Sequence, residues 1–275
     1  MKYKHSIILF FIGFVFIGLN SCEINFDYSP YVIDFSDNEK QVHLKNLNKL
    51  IEQNTNDDTL RIAFTGDSHR FYDELNAFTQ AVNSKNFEQA IDLVIHVGDL
   101  ADFGLPLQYQ WGNNILKQLE IPYFVVVGNH DLVGNGLSAY KEMFGTIDLS
   151  FIYRGIKFIF LNTNSREFNF DGSVPNLKWL NNEIQPSPDF TFAIVIFHVP
   201  PGDADFDTVL ESDFEEILSL HNNVIFTAHG HLHGYEYYRP YSDSIPYVNV
   251  YGVENNKFNL IKIIGHDFMV ETHSF

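Results

Sequence analysis

Nine side chains that could bind a metal or move a proton are spread along the middle of this chain: Asp67, His69, Asp99, Asn129, His130, Asp131, His198, His231 and His233. Carboxylate, imidazole and amide donors without a thiolate suit borderline or hard divalent ions such as Mn2+, Fe2+ or Zn2+. Asp67 and His69 are separated by one residue, as are His231 and His233. In extended chain that spacing turns both side chains to the same side, so each pair could face a single site. A histidine taken alone is more often structural than a ligand. Here each of these groups follows directly on a short apolar run, which points to a shared site.

Those runs are the elements that must position the site. Residues 60–65 lead into Gly66-Asp67-Ser68-His69, residues 91–97 into Gly98-Asp99, and Val125-Val126-Val127 into Gly128-Asn129-His130-Asp131. An uninterrupted apolar run suits a strand covered on both faces. Polar groups at the carboxyl ends of such strands sit where open α/β sheets bind ligands. Leu75, Phe78 and Val82 share a helical face after the first run, and residues 108–119 read as a second helix. Strand and helix in alternation predict a parallel sheet with helices on its faces. Further on, residues 151–153 and 156–161 flank Arg154-Gly155, a hairpin signature. Helices over 176–183 and 208–220 precede strands over 190–197 and 224–228, which end in His198 and in His229-Gly230-His231-Leu232-His233-Gly234. Segments near 247–251, 258–264 and 268–272 predict antiparallel strands closing a second sheet. Leu44, Leu47 and Ile51 recur at helical spacing and predict a short helix laid on the domain surface.

Taken in order, Asp67-x-His69, Gly98-Asp99, Gly128-Asn129-His130-Asp131, the lone His198 and Gly230-His231-x-His233 are the motifs of the calcineurin-like metallophosphoesterases, which this chain resembles from Asp67 to His233. The resemblance implies an α/β fold, a four-layer sandwich of two mixed β-sheets flanked by helices, and a hydrolase that carries two divalent metal ions. Carried over position by position, it implies that Asp67, His69 and His233 bind one ion, that Asn129, His198 and His231 bind the other, and that Asp99 bridges them. His130 is then the residue that approaches the substrate, with Asp131 orienting its ring. His96, His221, His229 and His266 match no catalytic position and read as structural. Arg70 reads as an exposed arginine within reach of a phosphate oxygen.

The expected reaction is hydrolysis of small phosphate mono- or diesters by a two-metal hydroxide mechanism, with His130 giving a proton to the leaving alcohol. The arginine that follows the Gly-Asp motif of protein Ser/Thr phosphatases is missing from Gly98-Asp99-Leu100-Ala101-Asp102, and His69 sets the chain apart from purple acid phosphatases. Asp203, Asp205, Asp207 and Glu211 form an acidic loop after His198, which would disfavour multiply charged substrates if it borders the pocket. Tyr235, Tyr237 and Tyr238 are candidates for an aromatic wall. Two other readings use the same ligands: a binding protein that keeps the metals without turnover, and a nuclease. His130 argues against the first, since a site that only binds has no use for an acid.

Charge argues against the second. The chain has 275 residues and a formal charge of −18, a surface that repels polyanions and disfavours nucleic acid as a partner. Its 45% hydrophobic content is enough for one good-sized core. The single cysteine, Cys22, excludes an intrachain disulfide and a thiolate cluster. Lys2, Lys4 and His5 precede an apolar run over residues 7–19 and then Asn20-Ser21-Cys22, the pattern of a secretory signal peptide. The run falls short of the ~20 residues that a membrane-spanning helix needs. Leu19-Asn20-Ser21-Cys22 also resembles the lipobox of bacterial lipoproteins, with Asn20 as its one departure. The expected organisation is a signal peptide over 1–21, lipidation at Cys22, a tether with a short helix over 22–58, and a metallophosphoesterase domain over 59–275. That places the protein on a membrane of the bacterial cell envelope, outside the cytoplasm, held by its N-terminal lipid.

Overall fold

β1 (Leu60–Thr65) has no exposed residue. Because a strand sends alternate side chains to opposite faces, Ile62 and Phe64 enter one core while Ala63 enters another. β2 (Leu93–His96) and β3 (Tyr123–Val125) follow in parallel beside β1, as their apolar runs predict. The computed structural model describes residues 29–53, 57–84, 90–240 and 245–275. The signal-peptide segment, Cys22 and the first part of the tether lie outside the described residues. No helix among the described residues is long and apolar enough to cross a membrane.

The remaining strands are β4 (Leu149–Tyr153), β5 (Ile156–Phe160), β6 (Phe192–Ile196), β7 (Val224–His229), β8 (Glu236–Tyr238), β9 (Tyr247–Asn249), β10 (Lys257–Ile264) and β11 (Asp267–Ser274). They build a five-stranded sheet ordered β11-β10-β1-β2-β3 and a six-stranded sheet ordered β4-β5-β6-β7-β9-β8. Helices α1 (Val42–Glu52), α2 (Tyr72–Asn83), α3 (Pro106–Leu116) and α4 (Gly136–Met143) lie on the first sheet, and α5 (Leu177–Glu183) and α6 (Glu211–Leu220) on the second. Between the sheets, Phe64, Phe124 and Phe158 are fully buried together with Ile62, Ile95, Ile194 and Phe226. Each such aromatic contributes roughly 1.5–3 kcal/mol by leaving water. The result is the expected four-layer α/β sandwich of two mixed sheets.

Three details differ from the sequence reading. First, β10 and β11 extend the first sheet rather than the second: β10 pairs antiparallel with β1, from Leu60 opposite Ile263 to Phe64 opposite Asn259. Alternation identifies a strand but not its partner. β9 joins the second sheet parallel to β7. Second, α1 does not bury Leu44 and Ile51, which are exposed; its inner face is Val42, His43, Asn46 and Leu50. The polar pair faces inward because β3 is an edge strand. Asn46 Oδ1 accepts from Tyr123 N at 3.2 Å and His43 Nε2 from Val125 N at 3.1 Å, so the helix satisfies backbone donors that the sheet leaves open. Burial then holds the His43 pKa down at about 3, keeping the ring neutral. Third, the helix expected from residue 208 begins at Glu211. The β4–β5 hairpin is as expected, with Arg154 (φ 52°) and Gly155 (φ 74°) both left-handed, as a two-residue type I′ turn requires.

Candidate active site

The parallel order β1-β2-β3 brings three carboxyl ends to one rim, and β6 and β7 deliver theirs to it from the other sheet. His198, beyond β6, ties the two sheets together there: its Nδ1 donates to Val97 O at 2.8 Å, which turns Nε2 toward Asp99 and Asn129. The Asp67/His69 and His231/His233 pairs do not converge through extended chain. Asp67 (φ 52°), Asp99 (φ 59°), His231 (φ 73°) and His233 (φ 59°) all sit in the left-handed region. Such backbone costs roughly 1–3 kcal/mol per non-glycine residue and persists only where the surroundings fix it. Here Asp67 N donates to Gly98 O and His69 N to Asp99 O, each at 2.9 Å, so one motif loop holds the other. Gly98 has φ 108°, and a Cβ there would meet His198 Nδ1 at 2.5 Å. At Gly128 a Cβ would meet Asp99 Oδ1 at 2.1 Å. Both glycines are therefore needed for the loops to close on the carboxylate.

Asp99 is the centre of the cluster. Its Oδ2 lies 3.2 Å from His198 Nε2 and 3.8 Å from His69 Nδ1, and its Oδ1 accepts from His130 N at 2.9 Å. On one side stand Asp67, with His233 Nε2 at 3.5 Å from its Oδ1, and His69. On the other, Asn129 Oδ1 lies 3.1 Å from His198 Nε2 and 3.3 Å from His231 Nδ1. The structure thus gathers all seven expected ligands at one rim. Ligand atoms of Asp67, Asp99 and His198 fall within 4.8 Å of one another, as do those of His69, Asp99 and His130. Asp67 Oδ2 and His69 Nδ1 are buried without a hydrogen-bond partner. Buried polar atoms of this kind are costly unless something pairs with them, and a divalent cation satisfies the whole donor set. Burial and the neighbouring Asp99 charge lift the Asp67 pKa to about 6. Burial opposes protonation of His198, but Asp99 and Asp67 outweigh it and place its pKa at about 10. The residues fit a divalent-metal centre.

His130 stacks on His69 with ring centroids 4.3 Å apart and is half-buried. Its partner is not Asp131. Nδ1 of His130 faces the carbonyl of Asp102 at 3.0 Å and Asp102 Oδ1 at 3.2 Å. Since a carbonyl can only accept, Nδ1 carries the proton and Nε2 is available to the substrate. Asp102 is fixed in turn by Arg70, which donates to both carboxylate oxygens at 2.8 and 2.9 Å. Arg70 is exposed, as expected, yet its guanidinium is committed to this clamp. Asp131 is fully buried and accepts from Gly128 N, Asp99 N and Ala101 N at 2.7–2.9 Å. Burial and the charge of Asp99 lift its pKa to about 7 against those donors. It staples two motif loops together instead of orienting a ring. Asp131→Ala leaves three buried N–H groups unpaired at about 1–3 kcal/mol each, so thermal melting should show a Tm lower by roughly 10 °C; an unchanged Tm would remove the staple role.

The other expected residues divide clearly. His96 bonds Ser68 Oγ at 2.8 Å, and His229 stacks on Phe197 and accepts from Tyr238 OH at 2.9 Å; both are fully buried and structural. His221 caps α6, and His266 packs on Phe192. The acidic loop does border the site, nearest through Asp203, whose Oδ1 is 3.3 Å from His231 Nε2, with Asp205 within 4.8 Å of the same pair. Asp205 pairs with Arg166, and Asp207 accepts from Val209 N. The tyrosines diverge: Tyr235 leans on Tyr251, Tyr237 on Phe268, and Tyr238 turns in to His229. Two carboxylates that the sequence reading did not place in the site emerge. Asp102 carried a signal, three residues after Asp99; Glu254, 2.6 Å from His233 Nδ1, carried none.

Residues 60–235 match the calcineurin-like phosphoesterase family model, and the chain belongs to that family. It is 27% identical over 160 residues to a "probable glycerophosphodiester phosphodiesterase" of Arcobacter nitrofigilis, covering 54% of this chain and 59% of that protein. With a 3′,5′-cyclic-nucleotide phosphodiesterase of Nostoc sp. it shares 25% identity over 156 residues, covering 52% of this chain and 56% of that protein. It therefore spans less than two-thirds of the length of either relative. Among solved structures, a dimetal phosphatase from Danio rerio superposes with a TM-score of 0.63 at 12% identity, covering 78% of this chain and 96% of that one.

Proposed function

We propose that this chain hydrolyses small phosphate esters, diesters in particular, at a dinuclear metal centre. The observation that carries the reading is the place of Asp99, whose carboxylate lies between the His69 group and the His198 group and touches both. Asp67, His69 and His233 would hold one ion and Asn129, His198 and His231 the other, with Asp99 shared. Divalent ions held there supply Lewis acidity, drawing charge from the phosphoryl oxygens and making water acidic at neutral pH. The protein's own part is to fix the ester and manage the proton. His130, tethered through Nδ1 to Asp102, donates from Nε2 to the leaving oxygen, and the Asp102 carboxylate stabilises the doubly protonated ring. The preference for diesters is supported by the names of the two bacterial relatives. We propose that the protein sits on a membrane of the bacterial cell envelope, outside the cytoplasm, held by a lipid on Cys22; the support is the sequence of residues 1–22.

The protein stripped of metal and reloaded with Mn2+ should turn over bis-p-nitrophenyl phosphate faster than p-nitrophenyl phosphate. Turnover that survives chelation would overturn the metal requirement, and a faster monoester would overturn the diester preference.

A further inference from the structure

We infer that Glu254 is the positioning residue for His233: its carboxylate fixes the tautomer and direction of a metal ligand that the rest of the fold leaves loose. The inference rests on the dinuclear reading of the site. His233 is the most exposed of the histidine ligands, with 40% of its side chain accessible against 18% for His231, 8% for His69 and none for His198. His69 meets its ring edge-on, centroids 5.8 Å apart, and the rest of the ring is open. Glu254 Oε1 lies 2.6 Å from His233 Nδ1. A carboxylate accepts, so Nδ1 bears the hydrogen and the Nε2 lone pair points toward Asp67, whose Oδ1 is 3.5 Å away. A lone pair and a carboxylate oxygen facing each other at that distance suit a shared cation. Histidine ligands commonly gain basicity and direction from a carboxylate on the far nitrogen.

The surrounding turn is built for the same purpose. Gly252 N and Asn255 Nδ2 both donate to His233 O, at 3.0 and 2.7 Å, and Val253 N donates to Gly66 O at 3.0 Å. One short turn thus grips the backbone of His233 and the loop that carries Asp67. Gly252 makes room for the side chain: a Cβ there would meet Glu254 Oε2 at 2.4 Å and Oε1 at 2.8 Å. Its φ of −63° is open to any residue, so Gly252→Ala should evict the carboxylate without straining the backbone.

The test uses two readouts on the full chain. In the metal-free protein, 15N spectra of the histidine rings should show His233 protonated at Nδ1 in the wild type and in Glu254→Gln, whose side-chain oxygen still accepts. Glu254→Ala and Gly252→Ala should lose that tautomer. In titrations with Mn2+, the wild type should bind two equivalents. Glu254→Ala should weaken one of them by about 10–100-fold, and Glu254→Gln should recover most of the loss. A wild type that binds fewer than two ions contradicts the dinuclear reading while leaving the tautomer result to judge Glu254. A wild type that binds two, with Glu254→Ala unchanged in both tautomer and affinity, overturns the positioning role. A lowered Tm in Glu254→Ala with the tautomer intact would reduce Glu254 to support for the turn and overturns it equally.

Discussion

Asp99→Ala should lose both metal ions at once and, with them, at least roughly 10^4-fold in turnover, the scale of removing a central member of a catalytic unit. The carboxylate is fully buried, its Oδ2 faces the ligand nitrogens of both groups, and its Oδ1 holds the backbone of His130. Burial opposes its charge, yet His198, with His130 and His69, outweighs burial and holds its pKa below the usual carboxylate range. It is therefore ionised at every pH at which the enzyme is of interest. Its removal leaves His69 Nδ1 and Asp67 Oδ2, already without protein partners, farther still from one. Metal analysis of the purified variant beside the wild type checks the first part, and ester hydrolysis the second. A variant that keeps one ion at full affinity would show two independent sites rather than one shared centre.

His130→Ala should behave in the opposite way, keeping both ions and losing chemistry. The ring stacks on His69 but is tethered to Asp102, outside the ligand set, so its loss leaves Asp67, Asp99, Asn129, His198 and His231 in place. General-acid help is worth about 10^2–10^4-fold where the leaving group needs a proton. The loss should be near the top of that range for an alkyl phosphodiester and near the bottom for a p-nitrophenyl ester, because nitrophenolate leaves without protonation. Asp102→Ala should follow the same leaving-group trend to a lesser degree. Equal losses with both esters would mean that His130 binds phosphate instead of delivering a proton.

The motif residues could be read from sequence because strand ends and metal chemistry leave local marks: an apolar run, a glycine, then a short polar group. The strands and helices followed from the same runs, and their four-layer arrangement from the resemblance to the family. Partner choice did not, since the alternation of β10 is the same whichever sheet it joins, and only the register with β1 decides it. α1 was misread for a related reason. Its inner face carries His43 and Asn46 to serve the open edge of β3, and an apolar-stripe argument passes over polar residues with a structural task. The pattern of the resembled family pairs Asp131 with His130, whereas a 3-10 turn points the two side chains apart. Glu254 reaches the site from a turn 21 positions beyond His233 and leaves no local mark at all.

A metal count made together with an assay decides whether Asp99 builds one dinuclear centre. The full-length wild type, saturated with Mn2+ and freed of excess, should hold two ions per chain, and graded removal with a chelator should abolish phosphodiester turnover as the pair is lost. One ion per chain with turnover intact, or two ions still bound in Asp99→Ala, would contradict a single dinuclear centre built on that carboxylate.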